Sequence, residues 1–159
     1  MAQEIINLSN TSQHGLEGHT AVLNKLVQLG FEVLLPWGEH LGYDLAYYET
    51  SEERHFGFFV HQDSYLVRIQ CKVAWLSDDG NYLIFNTSTV SVGGKDKWKK
   101  KKTGYEGRAE YFGVYNPHTQ KVYRVSVLEA PGASSMRLRL HPAKNNQEKN
   151  VKWAYNYEI

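Results

Sequence analysis

The sequence predicts an α+β domain, and three observations lead to that prediction. Apolar residues recur at helical spacing over about residues 16–29. A run of short segments rich in β-branched and aromatic residues follows, with turn residues between them, as expected of strands. The tail from residue 131 onward is polar and basic, with an alternating stretch at residues 136–140. Because there is no internal repeat and no linker, we expect one domain over residues 1–159, a mixed central β-sheet flanked by the first helix and the tail.

Composition and charge are those of an ordinary globular domain. Hydrophobic residues make up 42% of the 159 residues and charged residues 22%. The single cysteine allows no intrachain disulfide and suits the cytoplasm. No apolar run approaches the roughly 20 residues that span a bilayer, and the first ten residues do not have the pattern of a signal peptide. We therefore expect a cytoplasmic protein with no membrane partner. The net charge of +1 does not exclude nucleic acid, since basic residues can gather on one face.

The predicted elements follow in order. Thr11 or Ser12 caps the helix, and Gly30 stops it. Turn residues divide the next part of the chain into four predicted strands, of which the first is short and buried: residues 31–36, 43–49, 55–61 and 65–75. The predicted connections include a charged turn at residues 50–54 and a turn at residues 62–63.

Beyond residue 75 the pattern predicts a further strand and a hairpin. The strand covers residues 81–86, and the hairpin pairs residues 109–116 with residues 121–127 around a turn at residues 116–119. Residues 93–107, which include KDKWKKKKTG, are predicted to be a loop because they are too charged to pack.

The strand at residues 65–75 has one polar face. Side chains alternate along a strand, so Arg68, Gln70 and Lys72 lie opposite the apolar face that carries Cys71. We expect the Cys71 thiol to act as a small core hydrophobe and not as a nucleophile, because no histidine is local. Asp44 begins the preceding strand after a glycine-containing turn.

These residue types suit metal-assisted cleavage of a phosphodiester. The Asp44 carboxylate, the Gln70 amide oxygen and the Cys71 carbonyl are hard oxygen ligands of the kind that Mg²⁺ prefers. Lys72 can stabilise the charge of the transition state or position a metal-bound water. By spacing alone, the alternative of solvated strand faces remains open.

Several motifs in order resemble one known family. LGFEVLLPWGEHLGYDLAYY and LVRIQCKVA, and beyond them YEGRAEYFGVYNPHTQKVYRVSV and RLRLHPAKNNQEKNVKWAYNY, resemble the group I intron-associated PD-(D/E)XK homing endonucleases of cyanobacteria. The resemblance covers roughly residues 14–159. It implies a PD-(D/E)XK restriction-endonuclease-like core, a mixed β-sheet flanked by helices, and Mg²⁺-dependent, site-specific cleavage of double-stranded DNA. It also implies metal binding by Asp44 and Gln70 and a catalytic ammonium on Lys72.

The first helix departs from the family pattern. The family often has a glutamate directly after a glycine, where this chain has His19 in GLEGHTAV. Glu17, the acid on this helix, is the candidate second carboxylate that would complete the metal site, and the alternative is His19 as a ligand or base. Glu17 could equally be a solvent-facing residue that interacts favourably with the helix dipole.

Two basic regions are candidate DNA contacts, because lysines and arginines that neutralise phosphates release counterions on binding. The candidates are Lys97, Lys99, Lys100, Lys101 and Lys102 in the loop, and Arg137, Arg139, Lys144, Asn145 and Asn146 in the tail. Cutting two strands requires two active sites, so we expect a homodimer or homotetramer. The alternatives are a junction resolvase or repair nuclease of the same fold, and a non-catalytic DNA-binding module.

Overall fold

A five-stranded mixed sheet forms the centre of the computed structural model, which describes residues 10–55, 59–92, 100–130, 134–142 and 149–159. The elements are α1 (Asn10–Gln28), β1 (Val33–Leu34), β2 (Leu45–His55), β3 (Phe59–Val73), β4 (Trp75–Leu76), β5 (Tyr82–Asn86), β6 (Thr89–Val92), β7 (Lys100–Thr103), β8 (Tyr111–Asn116), β9 (Lys121–Ser126) and β10 (Ser135–Arg139). The central sheet has the strand order β1-β2-β3-β8-β9, in which β3 and β8 are parallel and the other pairs antiparallel. A second sheet has the order β10-β5-β4, and β6 pairs with β7.

Helix α1 covers one face of the central sheet. Its buried stripe includes Val22 and Leu26, while Leu16 is 65% exposed. The helix begins earlier than predicted, at Asn10, and ends at Gln28. Gly30 follows with a φ of 87°, a left-handed conformation that favours glycine, so the predicted stop is confirmed.

Helix and sheet meet closely at two glycines. A Cβ on Gly113 of β8 would lie 2.6 Å from Cγ1 of Val22, and one on Gly18 of α1 would lie 2.5 Å from Cγ2 of Val73. These contacts bring the first half of α1 against the C-terminal end of β3. On the opposite face of the sheet, a second apolar cluster packs against β5 and β10, and it includes Leu83, Phe85, Tyr105, Phe112, Val114 and Leu138.

Four sequence predictions were wrong in their boundaries. The predicted turns at residues 50–54 and 62–63 are absent, because β2 and β3 pair continuously from Leu45↔Ile69 to His55↔Phe59. A ladder satisfies the backbone N–H and C=O groups even where the side chains are charged. The strand predicted at residues 31–36 shrinks to Val33–Leu34. The predicted loop contains Lys100–Thr103, paired with Thr89–Val92, and its residues 93–99 lie outside the described ones.

Candidate active site

The site lies where β3 continues past the beginning of β2. Pairing of the two strands stops at Leu45↔Ile69, and the Asp44 N–H donates to the Ile69 carbonyl at 2.8 Å. Beyond that point Asp44 presents its side chain to β3. The Cys71 N–H donates to Oδ2 of Asp44 at 2.7 Å, and Nε2 of Gln70 donates to the same oxygen. The sequence pattern and the fold therefore bring Asp44, Gln70 and Cys71 to one sheet edge.

The environment of Asp44 disfavours its charged form. Burial is the largest influence and raises the pKa of this carboxyl. The hydrogen bonds from Cys71 and Gln70, and the charges of His19 and Lys72, lower the pKa and offset the effect of burial only in part. A cation bound here would relieve this cost.

Cys71 contributes its backbone to this edge. Its thiol packs beside the apolar cluster under α1, and burial raises the thiol pKa, so the predicted role as a core residue is confirmed. In an extended strand the N–H and C=O of one residue leave the same edge. Because the Cys71 N–H reaches Asp44, the Cys71 carbonyl points out of β3 on the side of Asp44.

Lys72 is held by a tyrosine that sequence reasoning missed. Its Nζ donates to Oη of Tyr105 at 2.9 Å and lies 4.4 Å from the centre of that ring. Tyr105 is 6% exposed and packs edge-on against Phe112, with ring centres 5.6 Å apart. The only sequence signal for Tyr105 was its place at the start of the YEGR segment of the family resemblance.

Arg108 is a second residue that the sequence pattern did not identify. Its guanidinium carbon lies 5.8 Å from the centre of the Tyr105 ring. The guanidinium also covers Gly42, two residues before Asp44, where a Cβ would lie 2.3 Å from Nε of Arg108. Gly42 has a φ of 74°, so both its conformation and this close approach call for glycine.

The two candidate residues of α1, Glu17 and His19, differ in their exposure to solvent. Glu17 is exposed, and its Oε2 lies 3.6 Å from Nδ1 of His14. His19 is half-buried, and its electrostatic interaction with Asp44 lowers the pKa of that carboxyl. The close contact of Gly18 with Val73 lies between them in sequence. His19 is therefore the more buried of the two residues, and Glu17 as the completing carboxylate stays a prediction.

The residues at this edge include oxygen donors of the kind that a divalent cation binds. Among the described residues, no three side chains of His, Cys, Asp or Glu converge on one point. The oxygen donors available are the Asp44 carboxylate, the Gln70 amide oxygen and the Cys71 carbonyl. Hard cations such as Mg²⁺ bind through one or two carboxylates and keep several waters, so this set fits one.

The tail contributes to a basic groove beside β10. Arg137 and Arg139 lie on one face of β10, as predicted, and line the groove with Tyr82, Lys149 and Lys152. Arg139 donates to the His141 carbonyl at 2.6 Å and also to Oη of Tyr82. Of the other predicted DNA contacts, Lys100, Lys101 and Lys102 lie in β7, and Lys97, Lys99, Lys144, Asn145 and Asn146 lie outside the described residues.

A carboxylate, an amide and a lysine near one edge of a mixed sheet are residue types that metal-assisted cleavage of a phosphodiester can use. A family model for PD-(D/E)XK endonucleases matches residues 9–159. The chain therefore belongs to the PD-(D/E)XK endonuclease family and is a nuclease, as predicted, whose substrate class is DNA. Nucleases of this family depend on a metal ion.

One solved structure supports the same fold. The chain is similar to a bacterial homing endonuclease, I-Ssp6803I, with a TM-score of 0.66 and 18% sequence identity. The similarity covers 94% of this chain and 89% of the other. The predicted α+β PD-(D/E)XK fold is thus confirmed. No curated protein sequence matches the chain significantly. Among the described residues, no helix combines the length and apolar character that crossing a bilayer requires.

Proposed function

We propose that this protein is a homing-type endonuclease that cleaves double-stranded DNA at a specific site by Mg²⁺-dependent hydrolysis. The observation that carries the proposal is the convergence of Asp44, Gln70 and Lys72 at the open edge between β2 and β3, in a chain of a nuclease family. The structural similarity to a homing endonuclease supports the fold, and the sequence motifs support the homing type.

Each residue has a distinct task in the proposed reaction. Asp44, the Gln70 amide oxygen and the Cys71 carbonyl would hold Mg²⁺, which supplies Lewis acidity and lowers the pKa of its water. Gln70 uses its NH₂ group on Asp44, which leaves its amide oxygen as a donor. Lys72 places a positive charge where negative charge develops on the phosphate, and Tyr105 holds that ammonium in position.

The DNA backbone would be bound by basic groups outside the candidate metal site. The groove beside β10 gathers Arg137, Arg139, Lys149 and Lys152 on one surface, which supports phosphate contact there. The lysine run Lys97, Lys99, Lys100, Lys101 and Lys102, and the tail residues Lys144, Asn145 and Asn146, remain proposed contacts on the strength of their residue types.

Cleavage of both strands calls for two copies of the site, so we also propose a homodimer or homotetramer. Large apolar side chains stand exposed in the segment before Asp44, which supports an interface there: Trp37 is 97% exposed and Leu35 64%. A cytoplasmic location suits the single cysteine.

Plasmid cleavage with Mg²⁺ and with EDTA tests this proposal. We expect Mg²⁺-dependent linearisation at one preferred position in a library of candidate target sites. Cleavage only of branched substrates would indicate a junction resolvase or repair nuclease. Binding to DNA without any cleavage, in every divalent metal tried, would contradict the enzymatic proposal and indicate a binding module.

A further inference from the structure

One histidine of α1 has a buried ring nitrogen without a hydrogen-bond partner. Nε2 of His19 is buried, and no described residue bonds to it. Buried polar atoms in native proteins are almost always satisfied, and an exception calls for a water, an ion or a function. His19 is also close enough to Asp44 for its charge to lower the pKa of that carboxyl.

The helix contact explains why His19 stays there. Gly18 packs so closely on β3 that an added Cβ would lie 2.5 Å from Val73 and 3.6 Å from the carbonyl oxygen of Lys72. The next residue, His19, is thereby held beside the strand that carries Gln70 and Lys72. Glu17 instead pairs with His14 on the exposed side of the helix.

We propose that His19 supplies an imidazole nitrogen ligand to the divalent metal ion, alongside Asp44, the Gln70 amide oxygen and the Cys71 carbonyl. The inference rests on the proposed function, because it concerns the metal of that same site. It accounts for the orphaned Nε2, and it adds a second ionisable ligand where the described residues bring no group of three His, Cys, Asp or Glu side chains together. A neutral imidazole offers one lone pair, which is what a metal ligand requires.

A nitrogen ligand changes which metal the site prefers. Mg²⁺ takes oxygen ligands almost exclusively. Imidazole suits later first-row metals better, and affinity rises from Mn²⁺ towards Co²⁺ and Ni²⁺. We therefore expect the full-length protein to bind Co²⁺ more tightly than Mn²⁺, and Mn²⁺ more tightly than Mg²⁺, although Mg²⁺ still supports cleavage.

Pulsed electron paramagnetic resonance of bound Mn²⁺ tests the proposal without any activity measurement. A coordinated imidazole imposes a nitrogen modulation on the Mn²⁺ echo decay. We expect this modulation in the wild type and in His14→Ala, a control on the same helix, and its loss in His19→Ala. The same loss in His19→Gln keeps the test valid if the alanine variant folds poorly. Calorimetry should show His19→Ala binding Co²⁺ at least about tenfold more weakly, the usual loss when even an outer-sphere partner is removed.

Two outcomes separate this inference from the proposed function. If Mn²⁺ binds in a manner that Asp44→Ala abolishes, but without nitrogen modulation or with modulation that survives His19→Ala, the His19 ligand is wrong while the metal site stands. If Asp44→Ala binds Mn²⁺ as the wild type does, the metal site itself is misplaced, and both proposals fall.

Discussion

The two ends of the polar face of β3 differ in how their charges are partnered. At one end, Nε of Arg68 donates to Oε1 of Glu110 at 3.1 Å, and its backbone N–H donates to Oε2 at 2.6 Å. At the other end, Lys72 donates to a neutral phenol, and Asp44 is buried beside Gln70. Arg68 and Lys72 are four positions apart in the sequence. Arg68 is neutralised by an ion pair with Glu110, whereas the groups around Lys72 and Asp44 could still bind a metal ion or a phosphate.

This difference supports the proposal that the Arg68 end of the face stabilises the fold and the Lys72 end takes part in catalysis. The hydrogen bonds from Arg68 lower the pKa of Glu110, so the fold favours its charged form. Burial raises the pKa of Asp44, so the fold opposes its charged form. Groups kept in an unfavourable state inside a fold cluster at functional sites, because their partners arrive with the substrate or cofactor.

The largest expected effect follows from removing the charge of Asp44. Asp44→Asn should abolish cleavage, because a metal ligand is lost. An asparagine oxygen can still accept from Gln70 and Cys71, so the metal-free variant should melt at the wild-type temperature or above it. Asp79→Asn is the control, because the pKa of Asp79 is shifted in the opposite direction. Hydrogen bonds, of which the one from the Asn81 side chain has the largest effect, lower the pKa of Asp79 to about 2. This variant should melt lower and cleave normally.

Differential scanning fluorimetry in EDTA, with cleavage of a preferred duplex, measures both effects. Full cleavage by Asp44→Asn would remove this residue from the metal site. A clear loss of metal-free stability in the same variant would mean that Asp44 is a structural group like Glu110.

A smaller effect is expected at Tyr105. Tyr105→Phe keeps the ring against Phe112 but removes the oxygen that holds Lys72. We expect a single-turnover rate about tenfold lower with unchanged DNA affinity, since a hydrogen bond to a charged group contributes about 1.5–3 kcal/mol and water can replace part of it. In a Lys72→Ala background the same substitution should have no further effect. Additive losses would show that Tyr105 acts independently of Lys72.

The smallest effect is expected at the structural end. Glu110→Gln should leave the cleavage rate unchanged and lower the free energy of unfolding by roughly 0.5–1 kcal/mol, discounted because the paired side chains are 31% and 37% exposed. The pKa of Glu110 is depressed, so its contribution is complete above the unfolded value of about 4.3 and is lost as pH falls through the lower folded value. Urea unfolding should show a larger difference at pH 7 than at pH 3, with exposed Glu106→Gln as the control.

The sequence predicted the half of the site that lies on the strands. Alternation along β3 placed Gln70 and Lys72 on one face, and the turn before β2 placed Asp44 within reach. Tyr105 and Arg108 could not be predicted, because they follow β7 and reach the site only through tertiary packing.

The helix and strand boundaries also show that local sequence patterns do not reveal what tertiary pairing decides. Periodicity identified α1 and the hairpin of β8 and β9, which are stabilised by local pattern and by turn residues. It misplaced turns inside β2 and β3, because charged side chains resemble a turn in the sequence while strand pairing decides the structure. The exposure of Glu17 and the partial burial of His19 likewise depend on how α1 packs on β3 at Gly18.

The central claim is that Lys72 acts in catalysis while Arg68, on the same face of β3, stabilises the fold. Replacing each of these two residues separately tests this claim most directly. Single-turnover cleavage of a preferred duplex is measured at saturating protein and Mg²⁺ for Lys72→Ala and for Arg68→Ala, with DNA affinity measured in parallel. Lys72→Ala should bind DNA normally and cleave about a hundred- to a thousandfold more slowly, the usual cost of losing a group that stabilises transition-state charge. Arg68→Ala should cleave within about tenfold of the wild-type rate, since its partner is Glu110 and not the substrate. Near wild-type cleavage by Lys72→Ala, or an equal loss in both variants, would contradict the account.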